Sequence, residues 1–256
     1  MLYLIQRNRL GKNIINKEDC EIDWRTQFKN SEDSLTSSIF SLLFYLPLNI
    51  FWNILTNACY SFDLPEQTGE ILLYEFWPHW KCDGTNNQNF IEPDLFIRFQ
   101  NFDIIIEAKR WDYFSQQNKK QWEAQLKAYS NEYAEDNKKV YFIALSGLIA
   151  GEEFQIPVND VSIFTCRWHR ILEQVQKNVA QNAQLESNVN LKIILNDLLI
   201  AFALHDFRIG DSLNTLSAKY SINYPISFDE VSRMTIKWNL LLSFKLSNSS
   251  LSQIIQ

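Results

Sequence analysis

The spacing of apolar residues alternates along the chain between short runs typical of strands and longer stretches with helical periodicity. Apolar runs bounded by Pro, Gly or polar turns predict strands at 70–77, 90–99, 102–109, 139–146 and 161–166. Apolar positions three and four residues apart predict helices at 31–46, 48–60, 117–136, 168–183, 190–207 and 228–246. We therefore expect an α/β protein with a mixed central sheet flanked by helices and a C-terminal helical extension.

This order of elements divides the sequence into three parts. Residues 1–30 form an N-terminal segment with little pattern, 31–166 form the α/β core, and 167–256 form a helical region. The chain has 256 residues, which is enough for one sizeable hydrophobic core. The helical region is expected to pack on that core or on a partner.

Acidic residues interrupt the two central apolar runs at positions where a buried strand normally has none. The stretch 90–111 reads FIEPDLFIRFQNFDIIIEAKRW, with a polar turn between the two runs. If the runs pair as a hairpin, Asp94, Glu107 and Lys109 converge at one edge of the sheet. Two carboxylates and an ammonium in one place suit a hydrolytic site that uses a hard cation. The alternative is an edge hairpin whose charges are solvated.

These residues resemble a known motif. Pro93-Asp94, followed after twelve residues by Glu107-Ala108-Lys109, resembles the PD-(D/E)XK nuclease superfamily. The resemblance covers about residues 32–166 and implies a restriction-endonuclease-like core. It also implies a nuclease, with endonuclease activity as one of the alternatives, that hydrolyses DNA with Mg²⁺, for which Mn²⁺ substitutes.

The resemblance assigns roles to individual residues. Asp94 and Glu107 would bind the metal together with the backbone carbonyl of Ala108. Lys109 would orient and activate the attacking water or stabilise the developing charge, two roles that the sequence does not separate. Glu32 lies in the first turn of a predicted helix, where an acidic residue favours the helix dipole. It could instead face the sheet as a third carboxylate of the metal site, and both readings stay open.

A second pattern lies on the helix predicted at 117–136. Gln121, Gln125 and Tyr129 are four residues apart and so share one stripe of that helix. Gln125 and Tyr129 resemble the Q-x-x-x-Y motif of the exonuclease-like branch of the same superfamily. This implies that Gln125 takes part in the catalytic site by holding a substrate phosphate or a lysine, and that Tyr129 packs or contacts the backbone. Gln121 and Arg110 are further candidate contacts to substrate. The alternative is an ordinary amphipathic helix.

Other residues near these motifs have simpler interpretations. Glu92 is expected to pair with Arg98 across the strand rather than to bind a second ion. His79, His169 and His205 are expected at the surface or at the edge of the core. Several tryptophans and phenylalanines flank the proposed site, and their side chains could stack on bases or pack in the core: Trp77, Trp80, Phe90 and Trp111.

Composition and charge limit these possibilities. The net charge of −6 is unusual for a protein that binds nucleic acid alone, so a protein partner or a homodimer is expected. The four cysteines are scattered without metal-ligand spacing, which disfavours a zinc site and favours buried thiols in a reducing compartment. No signal peptide or membrane span is apparent, so a cytoplasmic location is expected.

The sequence therefore favours a Mg²⁺-dependent deoxyribonuclease. By analogy with the superfamily, its setting would be bacterial or phage defence (including antiphage defence), restriction, repair or mobile-element processing. The alternative is a subunit with weak catalysis that keeps the nuclease fold, binds nucleic acid or assembles with a partner, and acts only with that partner.

Overall fold

The computed structural model describes residues 14–15, 21–22, 24–61, 63–85, 87, 89–114, 116–149, 156–158, 161–182 and 189–208. All of them belong to the unit 1–209, and the second unit, 210–256, lies outside them. The helix predicted at 228–246 and most of the N-terminal segment therefore fall outside the described residues.

Six helices and a mixed sheet make up the described architecture. The helices are α1 (Trp24–Asn30), α2 (Glu32–Leu43), α3 (Leu48–Ala58), α4 (Lys119–Tyr133, continued by a 3₁₀ turn at Ala134–Asp136), α5 (Trp168–Asn182) and α6 (Val189–Leu204). The strands are β1 (Ile14–Ile15), β2 (Glu21–Ile22), β3 (Ile71–Phe76), β4 (Trp80–Lys81), β5 (Phe90–Ile91), β6 (Leu95–Phe99), β7 (Phe102–Ala108), β8 (Lys139–Leu145), β9 (Ile156–Val158) and β10 (Val161–Cys166).

Among the described residues, six strands form the main sheet in the order β3-β6-β7-β8-β10-β9. The β3–β6 and β6–β7 pairs are antiparallel, the β7–β8 and β8–β10 pairs are parallel, and β9 adds an antiparallel edge. Two shorter pairs, β1–β2 and β4–β5, lie outside this sheet. The predicted α/β class with a mixed sheet flanked by helices is confirmed.

Helices cover both faces of the sheet, and this explains why β7 is buried at every position. Side chains alternate between the faces of a strand. Ile104 and Ile106 of β7 pack into the larger core with residues of α2, α3, α5 and α6. Ile105 packs on the other face with Phe96 and with Trp122 of α4. The two C-terminal helices in the described region thus contribute to the same core as α2 and α3.

The apolar run predicted as one strand at 90–99 is split in two. Ile91 lies in β5, which pairs with β4, whereas β6 starts at Leu95 and pairs with β3 and β7. Pro93 lies between the two strands and has no backbone N–H to contribute to a sheet ladder. Asp94 therefore lies in the connection just before β6.

Among the described residues, no helix is long and apolar enough to cross a membrane.

Candidate functional site

The site is built where β6 begins and β7 ends. These two strands pair antiparallel with Leu95 opposite Ile106, so the start of one lies beside the end of the other. Beyond that pair, Oδ2 of Asp94 accepts a hydrogen bond of 2.7 Å from the backbone N–H of Ala108. The Asp94 side chain thus takes the place of β6 as the hydrogen-bond partner of Ala108, which holds its carboxylate beside Glu107 and Lys109.

Glu107 is the most heavily bonded carboxylate of the site, although only 1% of the residue is exposed. Its Oε1 accepts from Nζ of Lys109 at 2.5 Å and from Nε2 of Gln121 at 2.7 Å. Its Oε2 accepts from Nε2 of Gln125 at 2.6 Å. The two glutamines predicted on one stripe of α4 therefore both bind Glu107, and the amide nitrogen of Gln125 donates to that carboxylate.

Glu32 reaches the same place from the first turn of α2. The helix cap is supplied by Ser31, whose hydroxyl accepts from the backbone N–H of Ser34 at 3.1 Å. The Glu32 carboxylate accepts from the backbone N–H of Arg110 at 2.7 Å and lies 3.5 Å from Nζ of Lys109. The sequence left open whether Glu32 favours the helix dipole or faces the sheet. Its side chain lies at the end of the sheet, beside Lys109 and Arg110.

Burial and mutual repulsion of the carboxylates change their acidity. Burial, followed by the charge of Glu107, raises the pKa of Asp94 to about 8. Burial also raises the pKa of Glu107, although the charge of Lys109 and the hydrogen bond from Gln125 oppose this. Burial alone would lower the pKa of Lys109, but the charges of Glu107, Glu32 and Asp94 raise it. Ionising all three carboxylates of the cluster would therefore place more negative charge there than one lysine neutralises.

Two clefts open beside this cluster. One, of about 590 Å³, is lined by Asp94 and Glu92 together with residues of β3 and its connection to β4. The other, of about 900 Å³, is lined by α4, including Gln121 and Gln125, and by β5 with the loops on either side of it, including Glu92. A substrate therefore has space on either side of Glu92.

Not every predicted site residue reaches Glu107. The hydroxyl of Tyr129 donates to Oδ2 of Asp103 at 3.0 Å, and its ring packs in the core, which is the first of the two roles expected for it. The guanidinium of Arg110 donates to the backbone carbonyls of Lys29 at 3.2 Å and His205 at 2.6 Å. In the described structure, Arg110 thus contributes its backbone N–H to the site, whereas its guanidinium binds backbone carbonyls outside the site.

The prediction of an ion pair between Glu92 and Arg98 is wrong, because each residue has another partner. Arg98 binds Asp103, which lies directly opposite it in the β6–β7 register, and also binds Asp136. Glu92 instead lies 3.2 Å from Nε2 of His79. The physical reason is that Glu92 precedes β6, so strand alternation does not bring it beside Arg98. Trp80, a candidate for base stacking, is buried in the core beside α4.

Two residues that the sequence analysis did not single out support the site. Nε2 of Gln117 donates to the backbone carbonyls of Glu107 and Ser146, both at 3.0 Å. Gly147 adopts φ +66°, and a Cβ there would lie 2.7 Å from Cγ of Lys109. Gly147 thus leaves room for the lysine stem. The sequence predicts a turn at Gly147, after the fourth predicted strand, but it does not predict that Gly147 lies against Lys109.

The oxygen donors of this cluster are compatible with Mg²⁺. Carboxylate and carbonyl oxygens are its usual protein ligands, and it keeps several waters, so it does not need a complete cage of side chains. Within the described residues, no three His, Cys, Asp or Glu side chains lie close enough to hold a metal ion by themselves. A cation here would therefore depend on Asp94 and Glu107 with backbone, water or substrate oxygens. Its charge would oppose the burial and the repulsion from Glu107 that raise the pKa of Asp94.

The chain is similar to an uncharacterized protein of Pasteurella multocida (strain Pm70), with 25% identity over 237 residues that span 86% of this chain and 87% of that protein. No family model matches the chain, and no solved structure matches it. The two chains are thus similar over most of both sequences.

The raised pKa of Asp94 has a consequence for stability. The unfolded chain loses this proton near its ordinary value of 3.8, whereas the folded protein keeps it up to about 8. The folded state therefore binds more protons between these values, so this group makes the free energy of unfolding fall as the pH rises. We expect added Mg²⁺ to restore the melting temperature most strongly at and above about pH 8, where the folded protein loses the Asp94 proton.

Thermal melts across this pH range, with and without Mg²⁺, test the expectation against Asp94→Asn. The asparagine keeps an acceptor for the N–H of Ala108 but has no proton to lose. The variant should show a smaller fall in melting temperature with pH and less stabilisation by Mg²⁺. Identical pH profiles for parent and variant would contradict the expectation.

Proposed function

We propose that this chain is a Mg²⁺-dependent nuclease with a restriction-endonuclease-like core, which hydrolyses DNA phosphodiester bonds at Asp94, Glu107 and Lys109. One observation carries the proposal: two buried carboxylates and a largely buried ammonium meet where β6 begins and β7 ends. Burying such groups costs stability, and strongly shifted acidity is common at catalytic sites. Defence, restriction, repair and mobile-element processing remain the proposed settings.

The order of elements supports this fold assignment. Apart from α3 and the short β4–β5 pair, which are additional, α2 is followed by β3, β6 and β7 of the main sheet and then by α4 and β8. This is the helix, three strands, helix and strand order that the resemblance to the PD-(D/E)XK superfamily implies. The motif residues lie on the two middle strands of that series or directly beside them.

Mg²⁺ would be held by Asp94 and Glu107 with the backbone carbonyl of Ala108, and the carboxylate of Glu32 would reach the ion through a bound water. When bound, the ion would make a water more acidic and stabilise negative charge on the phosphoryl oxygens. These are hard oxygen ligands, and each of the three carboxylates already lies close to the ammonium of Lys109, as the effect of their charges on its pKa indicates.

The side chains of the protein have defined tasks in this scheme. Lys109 stays protonated at neutral pH because the surrounding carboxylates raise its pKa. It therefore acts as a cation that donates hydrogen bonds to the attacking water or to a phosphoryl oxygen, and not as a general base. Gln121 and Gln125 fix the Glu107 carboxylate by hydrogen bonds of 2.7 and 2.6 Å. A preorganised carboxylate loses less entropy when the substrate complex forms.

A second candidate function is a nucleic-acid-binding or assembly subunit with little activity of its own. Both oxygens of Glu107 already accept hydrogen bonds, and Lys109 binds one of them. A metal would therefore have to share or displace these contacts. The net charge of −6 also favours a chain that engages DNA with a partner.

Purified protein incubated with DNA distinguishes the two functions. Linear and circular duplexes and single strands would be tested with Mg²⁺, with Mn²⁺ and with EDTA. The nuclease proposal expects cleavage with either metal and none with EDTA. DNA binding without cleavage of any substrate under any metal condition would instead favour the second function.

A further inference from the structure

Three aromatic side chains are exposed directly after the proposed catalytic motif. Trp111, Tyr113 and Phe114 are 45%, 64% and 65% exposed, and we call these three residues the aromatic shelf. Most other large aromatic side chains in the described residues are at least partly buried. Exposed apolar groups clustered beside a functional site often mark a binding surface.

The backbone of the aromatic shelf is tied to the core, although its rings are exposed. The carbonyl of Trp111 accepts from the backbone N–H of Gly147 at 2.7 Å. The carbonyl of Asp112 accepts from Nη1 of the buried Arg167 at 2.6 Å. The rings of Trp111 and Phe114 meet edge to face with centroids 6.3 Å apart. Because the rings are already positioned, a ligand that stacks on them pays little ordering entropy.

Positive charge lies against two of these rings. The guanidinium carbon of Arg110 is 4.5 Å from the ring centroid of Trp111, and that of Arg167 is 4.4 Å from the ring centroid of Tyr113. The imidazole of His169 also stacks on Tyr113, with centroids 5.7 Å apart. Both guanidiniums are themselves buried, so they hold the rings from the protein side and leave the outer surface of each ring open for stacking on a base.

The aromatic shelf is also continuous with the site. Trp111 follows Lys109 by two residues, so their Cα atoms are at most about 7.6 Å apart. Gly147 connects them as well, because it donates to the Trp111 carbonyl and packs against the side chain of Lys109. A nucleotide on the shelf would therefore lie within a few nucleotides of a phosphate at Lys109.

We propose that the aromatic shelf stacks on unpaired bases of single-stranded DNA and leads that strand to Asp94, Glu107 and Lys109. This inference rests on the proposed nuclease function and names its substrate class. In a duplex, neighbouring base pairs cover the faces of each base, so exposed rings select strands that are single or locally unpaired. Stacking also supplies affinity that does not depend on a basic surface, which this acidic chain lacks overall.

The area of the aromatic shelf argues against a stable protein partner as its occupant. An aromatic side chain has about 150–250 Å² to bury, and only about half to two thirds of each shelf residue is exposed. Three such residues offer roughly 300–450 Å², whereas a stable protein interface needs about 800 Å² from each partner. A short run of stacked bases fits that smaller area.

The test measures binding and cleavage for Trp111→Ala, Tyr113→Ala and Phe114→Ala. The probe is a labelled single-stranded DNA oligonucleotide, compared with the duplex and the single-stranded RNA of the same sequence. Binding is measured by fluorescence anisotropy in EDTA, which prevents cleavage. We expect each variant to bind the single strand about tenfold more weakly and to bind the duplex like the parent. Trp111→Phe keeps a stacking ring and should retain most of the affinity.

Tyr45→Ala is the matched control. Tyr45 is 73% exposed and follows the C-terminal end of α2, whereas Glu32 starts that helix. The twelve residues of α2 place the two ends about 18 Å apart. This variant should bind and cleave like the parent. Melting temperatures of all variants check that the fold is intact, and loss of solvent-exposed rings should change them little.

The outcomes separate this inference from the proposed function. If the parent cleaves DNA and the shelf variants bind and cleave single strands at parental levels, the binding role proposed for the aromatic shelf is wrong and the proposed nuclease function is supported. If no substrate is cleaved but the shelf variants lose single-strand binding selectively, the proposed nuclease function is wrong and the binding role of the aromatic shelf is supported. An equal loss on duplex, or tighter parental binding to RNA than to DNA, would overturn the assignment to single-stranded DNA.

Discussion

Lys109→Met is expected to lower the rate of Mg²⁺-dependent DNA cleavage by roughly 10²–10³-fold, the range found when one donor to a developing oxyanion is removed. The substitution keeps the length of the side chain but removes the only ammonium that contacts Glu107 and Glu32 in the described structure. Single-turnover cleavage at saturating enzyme measures the chemical step separately from DNA binding.

The same substitution has an effect on folding that must be separated from catalysis. Removing Lys109 leaves the buried Glu107 without its charged partner, which destabilises a protein by several kcal/mol when the charge cannot be neutralised. Lys109→Arg keeps a cation beside Glu107 but changes its shape. We expect Lys109→Arg to melt near the parent while still cleaving poorly. A double variant, Glu107→Gln with Lys109→Met, should recover part of the stability and none of the activity.

Asp94→Asn and Glu107→Gln extend the prediction to the metal. Each removes one charged oxygen ligand and should abolish cleavage with Mg²⁺. Both should also weaken Mn²⁺ binding, measured by calorimetry or paramagnetic resonance without DNA. Lys177→Met and Glu173→Gln are charge-matched controls, since both residues are exposed on α5. Parental cleavage by Asp94→Asn or Lys109→Met would show that the site has been misplaced.

Asp112→Ala is expected to lower the free energy of unfolding by about 3 kcal/mol, because one buried carboxylate accepts several hydrogen bonds at once. Its Oδ1 accepts from the hydroxyl of Ser146 at 2.5 Å and from the backbone N–H of Trp168 at 2.9 Å. Its Oδ2 accepts from the backbone N–H of His169 at 3.2 Å and lies 2.8 Å from Nδ1 of the same residue. Asp112 thus caps α5 and joins it to the end of β8. The melting temperature should fall by about 6–12 °C.

The effect of Asp112 also depends on pH in a defined direction. Burial alone would raise the pKa of Asp112, but hydrogen bonds from His169 and Ser146 lower it below its ordinary value of 3.8. Its stabilisation is therefore present at neutral pH and lost in acid below about pH 4. The difference in melting temperature between parent and Asp112→Ala should shrink at such low pH. Glu173→Ala, on the exposed side of α5, should change stability little. A loss of that size from Glu173→Ala, or none from Asp112→Ala, would contradict this account.

The strands and helices in the described residues could largely be predicted from local patterns. The run at 161–166 forms β10 over the same residues, and the run at 139–146 forms β8 with an end one residue earlier. Pro47 separates α2 from α3 as expected, although α2 ends at Leu43, before the proline. These features depend on periodicity and on the missing N–H of proline, which act within a few residues of the chain.

The contacts of the charged residues could be predicted only in part. Placing Asp94 beside Glu107 followed from assuming a hairpin, and the register between β6 and β7 agrees with that assumption. The partners of Glu107 on α4 did not follow, since the amides were expected to meet phosphate or Lys109. Tryptophan positions were equally ambiguous, because Trp80 is buried and Trp111 is exposed although both flank the motif.

The sequence by itself determined which segments form strands and helices and which few charged residues interrupt them. Only the tertiary structure decided that Glu32 meets Lys109, 77 residues away, and that Asp112 meets His169, 57 residues away. Local conformation depends on backbone geometry and on the nearest neighbours of a residue. Hydrogen-bond partners and acidity depend instead on which distant segments pack together, and on how much water that packing removes.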